Sequence, residues 1–72
     1  MYKESISLKE GEDYIKLGQA LKLSGLVSSG VEAKQLIQDG LVKVNGDVEL
    51  RRGRKLYSND IIYFDEFAIK VL

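Results

Sequence analysis

The sequence predicts an α+β domain in which two short helices pack on one face of a small antiparallel β-sheet, with a strand ahead of them. Three observations predict it. Apolar residues recur at helical spacing in two windows between Ile15 and Ile37, and from Leu41 onward the period drops to two. Between two of those alternating runs sits Asn45-Gly46, a pair whose tolerance of positive φ makes it a strong hairpin signal. With 72 residues there is room for one core, and no proline, repeat or low-complexity tract marks a linker, so residues 1–72 read as a single domain.

The elements follow in order. Tyr2, Ile6 and Leu8 alternate with Lys3, Ser5 and Ser7, as in a half-buried edge strand, although Glu4 falls on the apolar side. Lys9 to Asp13 is a polar turn around Gly11. A first helix runs from Ile15 to Ser24, with Leu17, Ala20, Leu21 and Ser24 on its buried stripe and Lys16, Gln19 and Lys22 off it. Gly25 stops it in the left-handed conformation. Ser29-Gly30-Val31-Glu32 is a capping box opening a second helix, whose stripe is Ala33, Leu36 and Ile37 and whose stop is Gly40. Lys34, Gln35 and Gln38 point elsewhere. Val42-Lys43-Val44 and Val48-Glu49-Leu50 then flank the Asn45-Gly46 turn. Ile61 to Phe64 and Phe67 to Val71 form a second hairpin around Asp65-Glu66, a pair poorly suited to a type I′ turn, so its register stays open.

Composition removes several classes of function. The chain is 44% hydrophobic and 31% charged, which suits a packed domain rather than a disordered one. It has no cysteine and no histidine, which excludes disulfides, thiolate or imidazole metal sites and Ser-His or Cys-His catalysis. The acids show no metal-ligand spacing. Gly25 and Gly30 have the spacing that opens a phosphate-binding Walker loop, but Val31 stands where its lysine belongs. We therefore expect no enzyme activity and no cofactor. No apolar run is long enough to span a membrane, and Met1 to Leu8 has no signal-peptide core, so a cytoplasmic protein without a membrane partner is expected.

Charge is informative by position. The formal net charge is zero. Residues 1–13 and 56–72 each carry −2, residues 14–42 carry +1, and residues 43–55 carry +3. Arg51, Arg52, Arg54 and Lys55 put four positive charges into five residues around Gly53. Two readings stand: a solvated loop whose charge prevents edge pairing, or a phosphate clamp built from arginine forks. Ser28-Ser29-Gly30 offers helix amides that could take a phosphate or could form an ordinary cap. Lys16, Lys22 and Lys34 matter only if they share a face with the arginine loop. Phe64, Phe67 and Tyr63 fit the sheet and its core, whereas Tyr57 could pack or could stack on an unpaired base.

Leu17 and Leu21 with Gly25-Leu26, then Ser28 to Ile37, then Gly40-Leu41-Val42-Lys43-Val44-Asn45-Gly46 and later Asn59-Asp60-Ile61-Ile62, resemble the S-four domain. This is the αL RNA-binding motif named for ribosomal small-subunit protein four. The likeness covers about 15–62 and is most specific from Ala33 to Gly46. Within that family the chain is most similar to the stand-alone bacterial proteins of the YaaA and YbcJ type, which share the leading strand and a segment like Arg-Arg-Gly-Arg-Lys and are described as RNA-binding. Two positions depart from the pattern. Gly30 stands where the family often has an arginine, and Asn59-Asp60 replaces a Gly-Asp turn. The resemblance implies that Lys34, Lys43 and the arginine loop converge on one face. Its candidate RNA contacts are Lys16, Lys22, Ser29, Lys34, Lys43, Asn45, Arg51, Arg52, Arg54 and Lys55.

The function this implies is a monomeric, non-catalytic module that binds structured RNA, ribosomal or transfer RNA, mainly through phosphates, with the ribosome as a candidate partner. The competing reading is a protein-interaction adaptor whose arginine loop meets an acidic partner. A fragment of an RNA-modifying enzyme is a third; Met1 and the terminal hairpin argue for a whole module instead.

Overall fold

The computed structural model describes residues 2–72, with side chains from Glu4 onward. Among the described residues nine elements follow one another: β1 (Tyr2–Ile6), β2 (Ile15–Lys16), α1 (Leu17–Leu23), α2 (Gly30–Gln38), β3 (Val42–Val44), β4 (Asp47–Val48), β5 (Lys55–Leu56), β6 (Ile61–Phe64) and β7 (Phe67–Val71). A five-stranded sheet runs in the order β1-β7-β6-β3-β4, and β2 and β5 form a separate two-stranded ribbon.

Both helices end as their glycines dictate. Gly40, at φ +76°, closes α2 with Gly40 N–H donating to Ile37 and Leu41 N–H to Leu36, the paired bonds of a Schellman turn. At the end of α1, Gly25 N–H donates to Lys22, and Ser24 does the rest: its hydroxyl donates to Leu21 O and accepts from Leu26 N–H. At the start of α2, Ser29 Oγ accepts from Glu32 N–H at 3.2 Å, and the Glu32 carboxylate reaches back to Ser28 N–H at 2.7 Å.

The core is where the stripes meet. Leu17, Ala20 and Leu21 of α1 and Ala33 and Ile37 of α2 are fully buried against Val42, Val44, Ile62, Ile69 and Val71 of the sheet and Leu56 of the ribbon. Removing one of these large side chains would cost about 2–5 kcal/mol. Phe64 packs at the edge of this core and Phe67 is half-buried. Among the described residues no helix is long and apolar enough to cross a membrane.

Two expectations need correction. The first helix begins at Leu17, not Ile15, because Ile15 and Lys16 pair antiparallel with Leu56 and Lys55. The sheet is not wholly antiparallel: β1 runs parallel to β7, which the long crossover through helices and hairpins permits. The alternation expected of Tyr2 and Lys3 falls on side chains outside the described residues. The first hairpin turns Val48 and Leu50 away from the core. Asn45 and Gly46, at φ +53° and +95°, form a two-residue turn that places Val44 opposite Asp47 and Lys43 opposite Val48. Val48 and Leu50 are therefore 52% and 60% exposed, and Glu49, whose N–H donates to Val42 O, is buried at 6%. The second hairpin, whose register the sequence left open, pairs Phe64 with Phe67, and Asp65 takes positive φ in the turn.

Candidate nucleic-acid interface

The arginine loop is seated on the first helix through its backbone. Gly18 N–H donates to Arg52 O and Leu17 N–H to Arg54 O, at 3.0 and 2.9 Å, so two amides that a helix start leaves open are closed by loop carbonyls. The β2–β5 pairing holds the other end of the loop. Together these bonds lay the Arg52 side chain across Gly18. A Cβ built on Gly18 would stand 2.6 Å from Arg52 Cγ, so a side chain at this position must displace the Arg52 stem.

The loop's guanidinium groups have different fates. Glu49 follows the edge strand β4 with its side chain buried, where a lone carboxylate is costly, and Arg51 and Arg54 both turn to it. Arg51 Nε donates to Oε2 at 2.9 Å and Arg51 NH2 to Oε1 at 3.2 Å, while Arg54 NH1 donates to Oε1 at 2.9 Å. The Arg51 bonds, and then Arg54, hold the Glu49 carboxyl down at about 2 against the opposing effect of burial. Two of the four cations in the expected single-sign clamp thus share one carboxylate, which cancels one of their charges. Arg52 has no such partner among the described residues.

Arg52 instead meets the helix lysines. A shallow concavity of about 320 Å³ is lined by Lys16, Gly18, Gln19, Lys22, Gly30, Arg52 and Gly53, none of them acidic. Lys16 and Lys22 therefore join one arginine of the loop, the condition under which they were to count. Lys34 is exposed one turn beyond Gly30 on α2. Lys55 lies on the outer face of the ribbon, its Nζ 4.8 Å from the Tyr14 ring centroid. Among the described residues no group of three acids converges to hold a metal ion.

Three candidates are placed differently from expectation. Lys43 projects from the sheet face opposite the helices and lines a separate concavity with Leu41 and Tyr63, so it does not converge with the arginine loop. Asn45 is committed to the fold: its amide donates to Asp60 Oδ1 at 3.0 Å and its carbonyl accepts from Ile61 N–H at 2.9 Å. Ser29 Oγ is the cap of α2, and Glu32 already places an anion at that helix start, which disfavours a phosphate there. Gly18, Gln19 and Glu49 were missed. A glycine inside a helical pattern, and an acid opposite Val42 once the two-residue turn is counted out, were the available signals.

A two-helix, one-sheet domain with a cationic concavity between its first helix and a basic loop defines a small αL-type module. The S4 domain model matches residues 6–72, and the chain belongs to the S4 domain family. It is 42% identical over 56 residues to the probable ribosome maturation protein RlbA of Bacillus subtilis, covering 78% of this chain and 79% of that one. It is 36% identical over 59 residues to the putative RNA-binding protein YbcJ of Escherichia coli, covering 82% and 84%. The solution structure of YbcJ, described as revealing an αL motif involved in RNA binding, superposes with a TM-score of 0.70 at 34% identity, covering 94% of this chain and 85% of that one.

Proposed function

We propose that this chain is a non-catalytic module that binds structured RNA, chiefly through phosphates held in the concavity of Lys16, Lys22 and Arg52. The observation that carries the reading is that three cations from two separate stretches meet there on a surface with no acidic lining residue. Guanidinium and ammonium groups in a shallow, open site suit phosphate oxygens on a rigid backbone. Helical RNA hides its base edges in a narrow major groove, so recognition by shape and phosphate geometry follows. The relatives named for RNA binding and ribosome maturation support RNA, and ribosomal RNA in particular, as the ligand class. A chain without histidine or cysteine has little with which to run general acid–base or nucleophilic chemistry, which supports binding rather than catalysis.

Arg52→Glu is the direct test. Arg52 holds the loop to α1 through its carbonyl, so reversing the side chain leaves that bond in place. The variant should melt like the parent and bind a ribosomal stem-loop at least tenfold more weakly by fluorescence anisotropy. Equal affinity would remove the phosphate site. Reversing Arg51 and Arg54 as well would confound the measurement, because both would then oppose Glu49.

A further inference from the structure

The β2–β5 ribbon buries Ile15 and Leu56, so its alternation turns Tyr14, Lys16, Lys55 and Tyr57 outward. Lys16 stands directly opposite Lys55, an arrangement of like charges that weakens a strand pair. Tyr14 and Tyr57 stand beside them, 37% and 49% exposed, with ring centroids 6.0 Å apart and planes tilted by 54°. Neither ring belongs to the hydrophobic core. Lys55 Nζ lies over the Tyr14 ring at 4.8 Å, a cation–π contact that fixes ring and ammonium relative to each other. The fold gains little from two solvated aromatics and two facing lysines on a ribbon of two-residue strands. Lys16 belongs to both this surface and the phosphate concavity, so the two are continuous.

We propose that Tyr14 and Tyr57, with Lys55, form a stacking platform for an unpaired nucleobase, so that the ligand of this face is a junction between helical and single-stranded RNA. The inference rests on the RNA-binding reading above. Phosphates of the helical part occupy the concavity, and the strand leaving the helix passes Lys16 and Lys55 and lays a base on the tyrosines. Aromatic faces accept any base, so the platform selects for unpaired structure rather than sequence.

The test uses one RNA duplex in three forms: flush-ended, with three unpaired nucleotides added to each strand, and with the same extensions made of abasic nucleotides. The abasic form keeps the phosphates and removes the stacking partners. The 72-residue chain should bind the base-bearing form about tenfold more tightly than the abasic form, and 2-aminopurine in the extension should be quenched on binding. The Tyr14→Leu/Tyr57→Leu double variant should lose that tenfold while binding the flush-ended RNA as the parent does; the Tyr→Phe pair should keep it. Equal binding of base-bearing and abasic forms by the parent, absent quenching, or a retained difference in the leucine pair would each overturn the platform and leave the phosphate site standing. Failure of the parent to bind any of the three would overturn both.

Discussion

Glu49 shows how one residue changes the meaning of its neighbours. Arg51 and Arg54 carry charge that a count along the chain assigns to a ligand, yet both are held by this one carboxylate. Its folded value near 2 lies below the 4.5 of an unperturbed glutamate, so its stabilising effect is complete above about pH 4.5 and disappears as pH falls toward 2. Glu49→Gln should accordingly lower stability at neutral pH by about 1 kcal/mol, since the arginines remain partly solvated. Between roughly pH 5 and pH 2 the gap between variant and parent should close. Urea titrations at several pH values measure this; a gap that persists at pH 2 would contradict the assignment.

At the scale of elements, the first helix and the arginine loop act as a unit. The loop carbonyls close the helix start, and Gly18 lets the Arg52 stem cross the helix surface. Gly18→Ala brings a helix-favouring residue, worth about 1 kcal/mol, and sets it against displacement of the arginine stem. The melting temperature should move by only a few degrees. RNA affinity should fall severalfold because Arg52 leaves the concavity, and a variant binding as tightly as the parent would show that Gly18 does not position it. The short helix could not supply this geometry alone; its seven residues are held by packing and by the loop.

For the molecule as a whole, the zero net charge does not oppose a polyanion ligand at physiological salt. The body measures 32 × 25 × 21 Å, whereas charges are screened beyond about 8 Å at 0.15 M. Nearby charges therefore decide the field: Lys16, Lys22 and Arg52 line the concavity, while Glu12 lines an adjoining one with Gln19 and Lys22. About four phosphate contacts should give a log–log dependence of affinity on salt with a slope of about −3 to −4. Titrations from 50 to 200 mM salt read this directly, and a slope shallower than −1 would be incompatible with phosphate recognition.

Much of the architecture is legible in the sequence. The capping box, the glycine stops and the Asn45-Gly46 turn are local devices whose energetics involve residues a few positions apart, so helices, hairpin and the buried stripes follow from short-range spacing. The basic loop and Tyr57 were visible in the same way. The partner of each charge was not. Glu49 against Arg51 and Arg54, Arg52 across Gly18, and Tyr14 beside Tyr57 all depend on strand register and on where the loop docks. Amino-acid order along this chain sets its elements and its supply of cations. Folding selects which cations stay free to meet a ligand, because a carboxylate removes charge only within contact distance and that distance is a property of the packed molecule.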